Sequence, residues 1–186
     1  EFEILEAINQ LKEKKGNKYD VNLVRSEFQK PIKLLKGTWK PENKLRGKEV
    51  LLISSGPKLN EYKKEIENYI LKKNPVVIAL NTFSKINKSL IDFYLACNPL
   101  RLIADDKLYQ SIKSPLVVPK SLLSDFHIKK FKNLKLLDFG IGIKDNKFEF
   151  YKDSALMPKL YNVAYALSIA TSGKASRILL AGFDGY

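Results

Sequence analysis

Lys48-Glu49-Val50-Leu51-Leu52-Ile53-Ser54-Ser55-Gly56-Pro57-Lys58-Leu59 is the stretch that decides the fold. Val50–Ile53 is an unbroken aliphatic run with no polar face, which marks a strand buried on both sides. Gly56 permits a tight turn that a side chain would obstruct, and Pro57 suits the first helical position, where no amide donor is needed. Leu59, Tyr62, Ile66, Tyr69 and Ile70 then recur at helical spacing, with lysines and glutamates between them. A strand, a tight turn and an amphipathic helix in that order begin a parallel α/β unit.

The alternation continues downstream. Val76–Leu80, introduced by Pro75, reads as the second strand, and a short helix over Lys85–Ile91 leads to a third at Phe93–Cys97. Asp105–Ile112 reads as helix, Leu116–Val118 as strand, Ser121–Phe131 as helix and Leu134–Leu137 as strand. Residues Ala155–Ala170 read as the longest helix, and Ile178–Ala181 as the last strand. The expected fold is α/β, a three-layer Rossmann-like sandwich with a mostly parallel sheet, preceded by a helical linker.

Upstream, the texture differs. A helix over Glu3–Lys15 closed by Gly16-Asn17, a second helical stretch over Val21–Gln29 closed by Pro31, and a loop Lys36–Pro41 anchored by Trp39 are expected. These elements have too few apolar residues to fold alone. Residues 1–47 therefore read as the tail and linker of an upstream domain, and residues 48–186 as the Rossmann-like domain, truncated after Gly182-Phe183-Asp184-Gly185-Tyr186.

Length and composition bound the function. The 186 residues, 45% of them apolar and 28% charged, suit one domain with an appendage. No apolar run approaches the roughly 18 residues of a membrane span, and the N-terminus carries no signal-peptide pattern; a soluble, cytoplasmic protein with no membrane partner is expected. Cys97 and His127, each the only residue of its type, exclude an internal disulfide and leave too few soft ligands for a zinc site. The net charge is +13, but only Arg25, Arg46, Arg101 and Arg177 are arginines, and the lysines mix with acids, as in Lys63-Lys64-Glu65. A solvated lysine-rich surface fits better than a nucleic-acid interface, and an anionic small molecule is compatible with either.

Ligands in open parallel sheets bind beyond the carboxyl ends of the strands, so the candidate residues stand there. Ser55, Gly56, Pro57 and Lys58 form a turn whose following N–H groups suit a phosphate or carboxylate, though an ordinary strand-to-helix turn looks the same. Gly-x-Gly-x-x-Gly and P-loop spacings are absent, and the second strand ends in Asn81 rather than an acid for a ribose, which argues against a standard dinucleotide site. Asn98 could offer its amide to a base or sugar, or serve as turn chemistry before Pro99. Asp184 could bind a hydroxyl, act as a base or cap the next helix. Asp105-Asp106 reads as a helix cap, Cys97 as a small core residue and His127 as a surface residue. No catalytic triad or acid–base carboxylate pair is visible, so no catalytic residue is assigned.

Two resemblances add to this reading. The Ser-Gly-Pro opening, Asn81, Asn98-Pro99 and the closing Ala166–Asp184 resemble bacterial sialyltransferase-like and pterin pyrophosphokinase-like domains, in which such residues surround a nucleotide. Ser55 stands where that group has asparagine, Met157-Pro158-Lys159 stands where its long helix opens, and its catalytic histidine would fall beyond Tyr186. Lys36–Trp39, Val76–Asn81, Leu137–Gly140 and Ala170–Tyr186 resemble the C-terminal region of bacterial aldolase-like proteins of the hydroxymethylglutaryl-CoA lyase and 4-hydroxy-2-oxovalerate aldolase family. That resemblance implies an upstream barrel as partner, holding a divalent metal and the lyase chemistry, with no cofactor in this fragment.

The expected function is thus a C-terminal Rossmann-like domain that binds a nucleotide or nucleotide-activated sugar acid through Ser55, Gly56, Pro57, Lys58, Asn81, Asn98 and Asp184. Sugar-acid transfer in carbohydrate biosynthesis is one extension. A non-catalytic regulatory or assembly domain, including a homo-oligomer, is the alternative.

Overall fold

The structure, a computed structural model, describes residues 33–81, 85–123 and 125–184. The expected helices at Glu3–Lys15 and Val21–Gln29 lie outside them, as does the side chain of His127.

A short helix α1 (Glu42–Leu45) leads into β1 (Glu49–Ile53), then α2 (Lys58–Glu61), α3 (Lys63–Lys73) and β2 (Val76–Leu80). β3 (Phe93–Leu95), α4 (Pro99–Ala104), α5 (Asp106–Gln110), β4 (Leu116–Val118), α6 (Asp125–Lys130) and β5 (Leu136–Asp138) follow. The chain then forms β6 (Gly140–Ile143), β7 (Glu149–Phe150), β8 (Ser154–Met157), α7 (Asn162–Ser172) and β9 (Arg177–Ala181). Six strands form one parallel sheet in the order β5-β4-β3-β2-β1-β9.

The aliphatic runs are explained by burial on both sheet faces. Val50, Leu52, Ile78, Leu80 and Leu95 pack with Tyr165, Ala166 and Ile169 of α7 in one core. Their neighbours Leu51, Ile53, Val77, Ala79 and Tyr94 pack with Leu59, Ile70, Leu102 and Tyr109 from α2–α5 in the other. Consecutive strand residues face opposite layers, so a polar residue at any of these positions would lie in one core or the other. The fold is the expected three-layer Rossmann-like α/β sandwich.

Two expected elements differ: the helix expected over Lys85–Ile91 is only a 3-10 turn at Lys88–Leu90, and the start of the long helix is misplaced. Ser154–Met157 is a strand, and the long helix begins at Asn162 rather than Ala155. β8 pairs in parallel with β6, from Gly140↔Ser154 to Ile143↔Met157, and antiparallel with β7, which makes a second, three-stranded sheet. Pro158 supplies the local reason, because the residue before a proline is driven out of the helical region.

Residues 33–41 lie against this small sheet. Leu35 N–H donates to Ile141 O at 3.2 Å, and the N–H groups of Gly37 and Gly140 both reach Asp153 O, at 3.0 and 2.8 Å. Such proximity needs glycine: a Cβ on Gly140 would stand 2.6 Å from Gly37 N. Asp138 fastens the next residues, since its Oδ2 accepts Thr38 N–H at 3.2 Å, its Oδ1 accepts Lys120 N–H at 2.9 Å, and its carbonyl accepts Trp39 N–H at 2.8 Å. The segments Lys36–Trp39 and Leu137–Gly140, far apart in sequence, are thus one structural unit.

Candidate functional site

The chain moves from β1 outward to β5 and later returns to β9 on the other side of β1. The topological switch therefore falls between β1 and β9, the place where a crevice forms beyond strand carboxyl ends.

Five of the sequence-derived residues meet there. Ser54 N–H bonds Ala181 O at 2.9 Å and Gly56 N–H bonds Gly182 O at 2.7 Å, so the two strand ends stay joined past the sheet. A Cβ on Gly56 would stand 2.6 Å from both Asp184 Oδ1 and Gly182 O, so the turn admits no side chain. Ser55, Pro57 and Lys58 are exposed. The Lys58 N–H, the donor expected to face an anion, bonds Asp184 Oδ2 at 2.8 Å. The carboxylate thus caps α2, a helix of only four residues, from the far end of the sequence. From the sequence, Asp184 could cap the next helix; the helix it caps is instead α2, which follows β1.

Asn81 and Asn98 stand farther along the same edge, after β2 and β3. Asn81 holds a left-handed backbone, φ 60°, which asparagine tolerates better than most residues. Its Oδ1 accepts Asn162 Nδ2–H at 2.8 Å, with the Tyr109 hydroxyl 3.5 Å away, and its Nδ2 has no hydrogen-bond partner among the described residues. Asn162 Oδ1 also accepts the Cys97 N–H at 2.8 Å and its thiol at 3.0 Å. One amide on α7 therefore ties together the ends of β2 and β3. The Asn98 carbonyl accepts the N–H groups of Arg101 and Leu102 and so starts α4.

Asn162 and Tyr109 were not singled out from the sequence. Asn162 was hidden by the misplaced helix, since within Ala155–Ala170 it looks like a mid-helix polar residue. In the sequence Tyr109 carries no signal beyond its place within the helix expected over Asp105–Ile112.

Electrostatics at this edge do not suit proton transfer near neutrality by its buried groups. Burial pushes the Cys97 thiol well above its ordinary value, and burial likewise raises the Tyr109 phenol, opposed in part by the Arg101 charge. Cys97 is 1% exposed, the core residue expected. Asp105 occupies the N-cap position of α5, as expected, and its carbonyl accepts the Leu108 and Tyr109 N–H groups, but its side chain makes no cap bond and its Oδ2 lies 3.2 Å from Arg101 Nε instead. Among the described residues no group of three or more His, Cys, Asp or Glu is placed to hold a metal ion, and no helix is long and apolar enough to cross a membrane.

No protein-family model matches the chain, and no curated protein matches it significantly.

Proposed function

We propose that this chain is a ligand-binding unit that holds a nucleotide or nucleotide-activated sugar acid at the carboxyl edge of its parallel sheet, joined in its parent protein to an aldolase-type barrel. The observation that carries the reading is the Asn81–Asn162 pair. Asn162 holds the Asn81 oxygen inward at 2.8 Å, and the Asn81 Nδ2 donors, unpaired among the described residues, would serve an acceptor on a base, ribose or sugar. The anionic part of the ligand fits the N-terminus of α7 better than the Gly56-Pro57 turn. α7 is 11 residues long with no side-chain cap at Tyr161, whereas the α2 donor is taken by Asp184. The metal and the lyase chemistry belong, in this reading, to the barrel.

The test is calorimetric titration of the chain with CMP, CDP and GMP, repeated with Asn81→Ala. The expected result is micromolar binding of one nucleotide, weakened about tenfold in the variant by loss of roughly one hydrogen bond. Gly56→Val is a poor probe because its Cβ alone would collide with Asp184 and Gly182 and disturb the fold itself. A second reading, a regulatory or assembly domain, is favoured by the internal carboxylate at Lys58 N–H. Absence of binding to all three nucleotides would select it.

A further inference from the structure

At the opposite end of the sheet the strands begin around a cleft of about 360 Å³, near the lower end of the usual range for small-molecule pockets. Val76, Phe93 and Leu137 supply apolar lining, and half-buried Trp39 leans on Phe93 with ring centroids 5.9 Å apart at 44°. Lys44, Lys48 and Lys135 also line the cleft, and all three are exposed. None forms an ion pair among the described residues. The acids nearest them in sequence are engaged elsewhere: Glu42 by Arg46 and Lys174, Glu49 by Tyr69 and Arg177, and Asp138 by the Thr38 and Lys120 N–H groups. Asp92, the one acid lining the cleft, accepts the Val77 N–H at 2.8 Å through Oδ2.

We infer that this cleft is a second binding site, for a small anion with a flat ring, such as an aromatic phosphate or carboxylate. The ring would lie against Trp39 and Phe93, where apolar surface leaves water, and the anionic group would take the lysines, which form no ion pair among the described residues. An isolated anion would gain only exposed lysine contacts, which water and salt weaken. A neutral ring would leave the lysines unused. Selection therefore requires both parts of the ligand. This site does not depend on the proposed nucleotide site, which lies at the other end of the strands.

Trp39 is the chain's only tryptophan and lines the cleft, so its emission reports occupancy directly. The experiment titrates the chain with phenyl phosphate, benzoate, benzyl alcohol and inorganic phosphate at low salt while reading that emission. Saturable change is expected with phenyl phosphate or benzoate, the pair showing which anionic group is preferred, at concentrations at least about tenfold below those needed for the neutral ring or bare phosphate. Lys48→Ala and Lys135→Ala, both at exposed positions, should each weaken binding about twofold to fivefold, the size of an exposed charge contact, while Lys72→Ala on α3 leaves it unchanged. The inference is overturned if neither aromatic anion saturates, if inorganic phosphate competes as well as phenyl phosphate, or if the lysine variants bind like the parent chain.

Discussion

Asn162→Ala tests the architecture of the carboxyl edge most directly. The side chain makes three contacts: it accepts Cys97 N–H at 2.8 Å and the thiol at 3.0 Å, and it donates to Asn81 Oδ1 at 2.8 Å. Cys97 is 1% exposed, so water cannot replace the lost acceptor, and an unsatisfied buried N–H costs about 1–3 kcal/mol. The Asn81 oxygen is half-buried and can take water, so its loss adds only about 0.5–1 kcal/mol. The better helix propensity of alanine returns about 0.5 kcal/mol. The expected net loss is about 1–3.5 kcal/mol, or roughly 2–14 °C in Tm for a chain of this size.

Urea unfolding followed by circular dichroism measures the loss, and hydrogen exchange of the Cys97 amide localises it. Asn162→Asp keeps an acceptor for Cys97 but removes the donor to Asn81, whose amide must then turn its Nδ2 inward. That variant should lose only about 1 kcal/mol, and it should also lose the outward donor that the proposed ligand uses. A loss under about 0.5 kcal/mol for Asn162→Ala, or simple additivity with Asn81→Ala, would refute the bridging role.

Four further outcomes are expected. Gly140→Ala should destabilise the chain by about 1–3 kcal/mol in urea unfolding, because the new Cβ meets the backbone of Leu35 and Gly37, and backbone cannot rotate aside. The Cys97 thiol should react with a disulfide reagent only as fast as the chain opens, since burial suppresses its thiolate. Stability should be flat to about pH 9 and then fall, by about 1.4 kcal/mol per pH unit for each group. The folded state keeps the protons of Cys97, Tyr109 and Tyr165 above their ordinary values of 9.0 and 10.0, so the unfolded state loses them first as pH rises, and urea midpoints between neutral and alkaline pH measure the decline. Asp184→Ala removes the cap on Lys58 N–H and should cost about 0.5–2 kcal/mol in the same assay.

The large sheet was legible because burial on both faces leaves a one-dimensional trace: Val50–Ile53, Val76–Leu80 and Leu116–Val118 are unbroken apolar runs whatever their partners. The small sheet left no such trace. Gly140-Ile141-Gly142-Ile143 has too little side chain to read as a strand, and Ala155-Leu156-Met157 are strong helix formers. What makes Ser154–Met157 a strand is pairing with β6 and β7, a tertiary effect that overrides propensity, reinforced by Pro158. The same misjudged boundary concealed Asn162, because a polar residue at a helix's first position can face the strand ends, whereas one in mid-helix is ordinarily solvent-facing.

The Gly56-Pro57 turn shows a different limit. Strand, glycine, proline and helix are local features, and the sequence shows them faithfully as a turn with a free N–H to offer. Whether that N–H is free depends on Asp184, which is 126 positions away from Lys58 and arrives only because β9 docks beside β1. A phosphate approaching Lys58 N–H would meet a carboxylate already there, and two anions at one short helix end repel. At the N-terminus of α7 no carboxylate is bonded among the described residues; Asn162 is there instead, with its amide committed to Cys97 and Asn81. Under the proposed function, the switch-point topology therefore moves the anion-binding half from the turn after β1 to the start of α7, and makes the asparagines the residues on which ligand choice would depend.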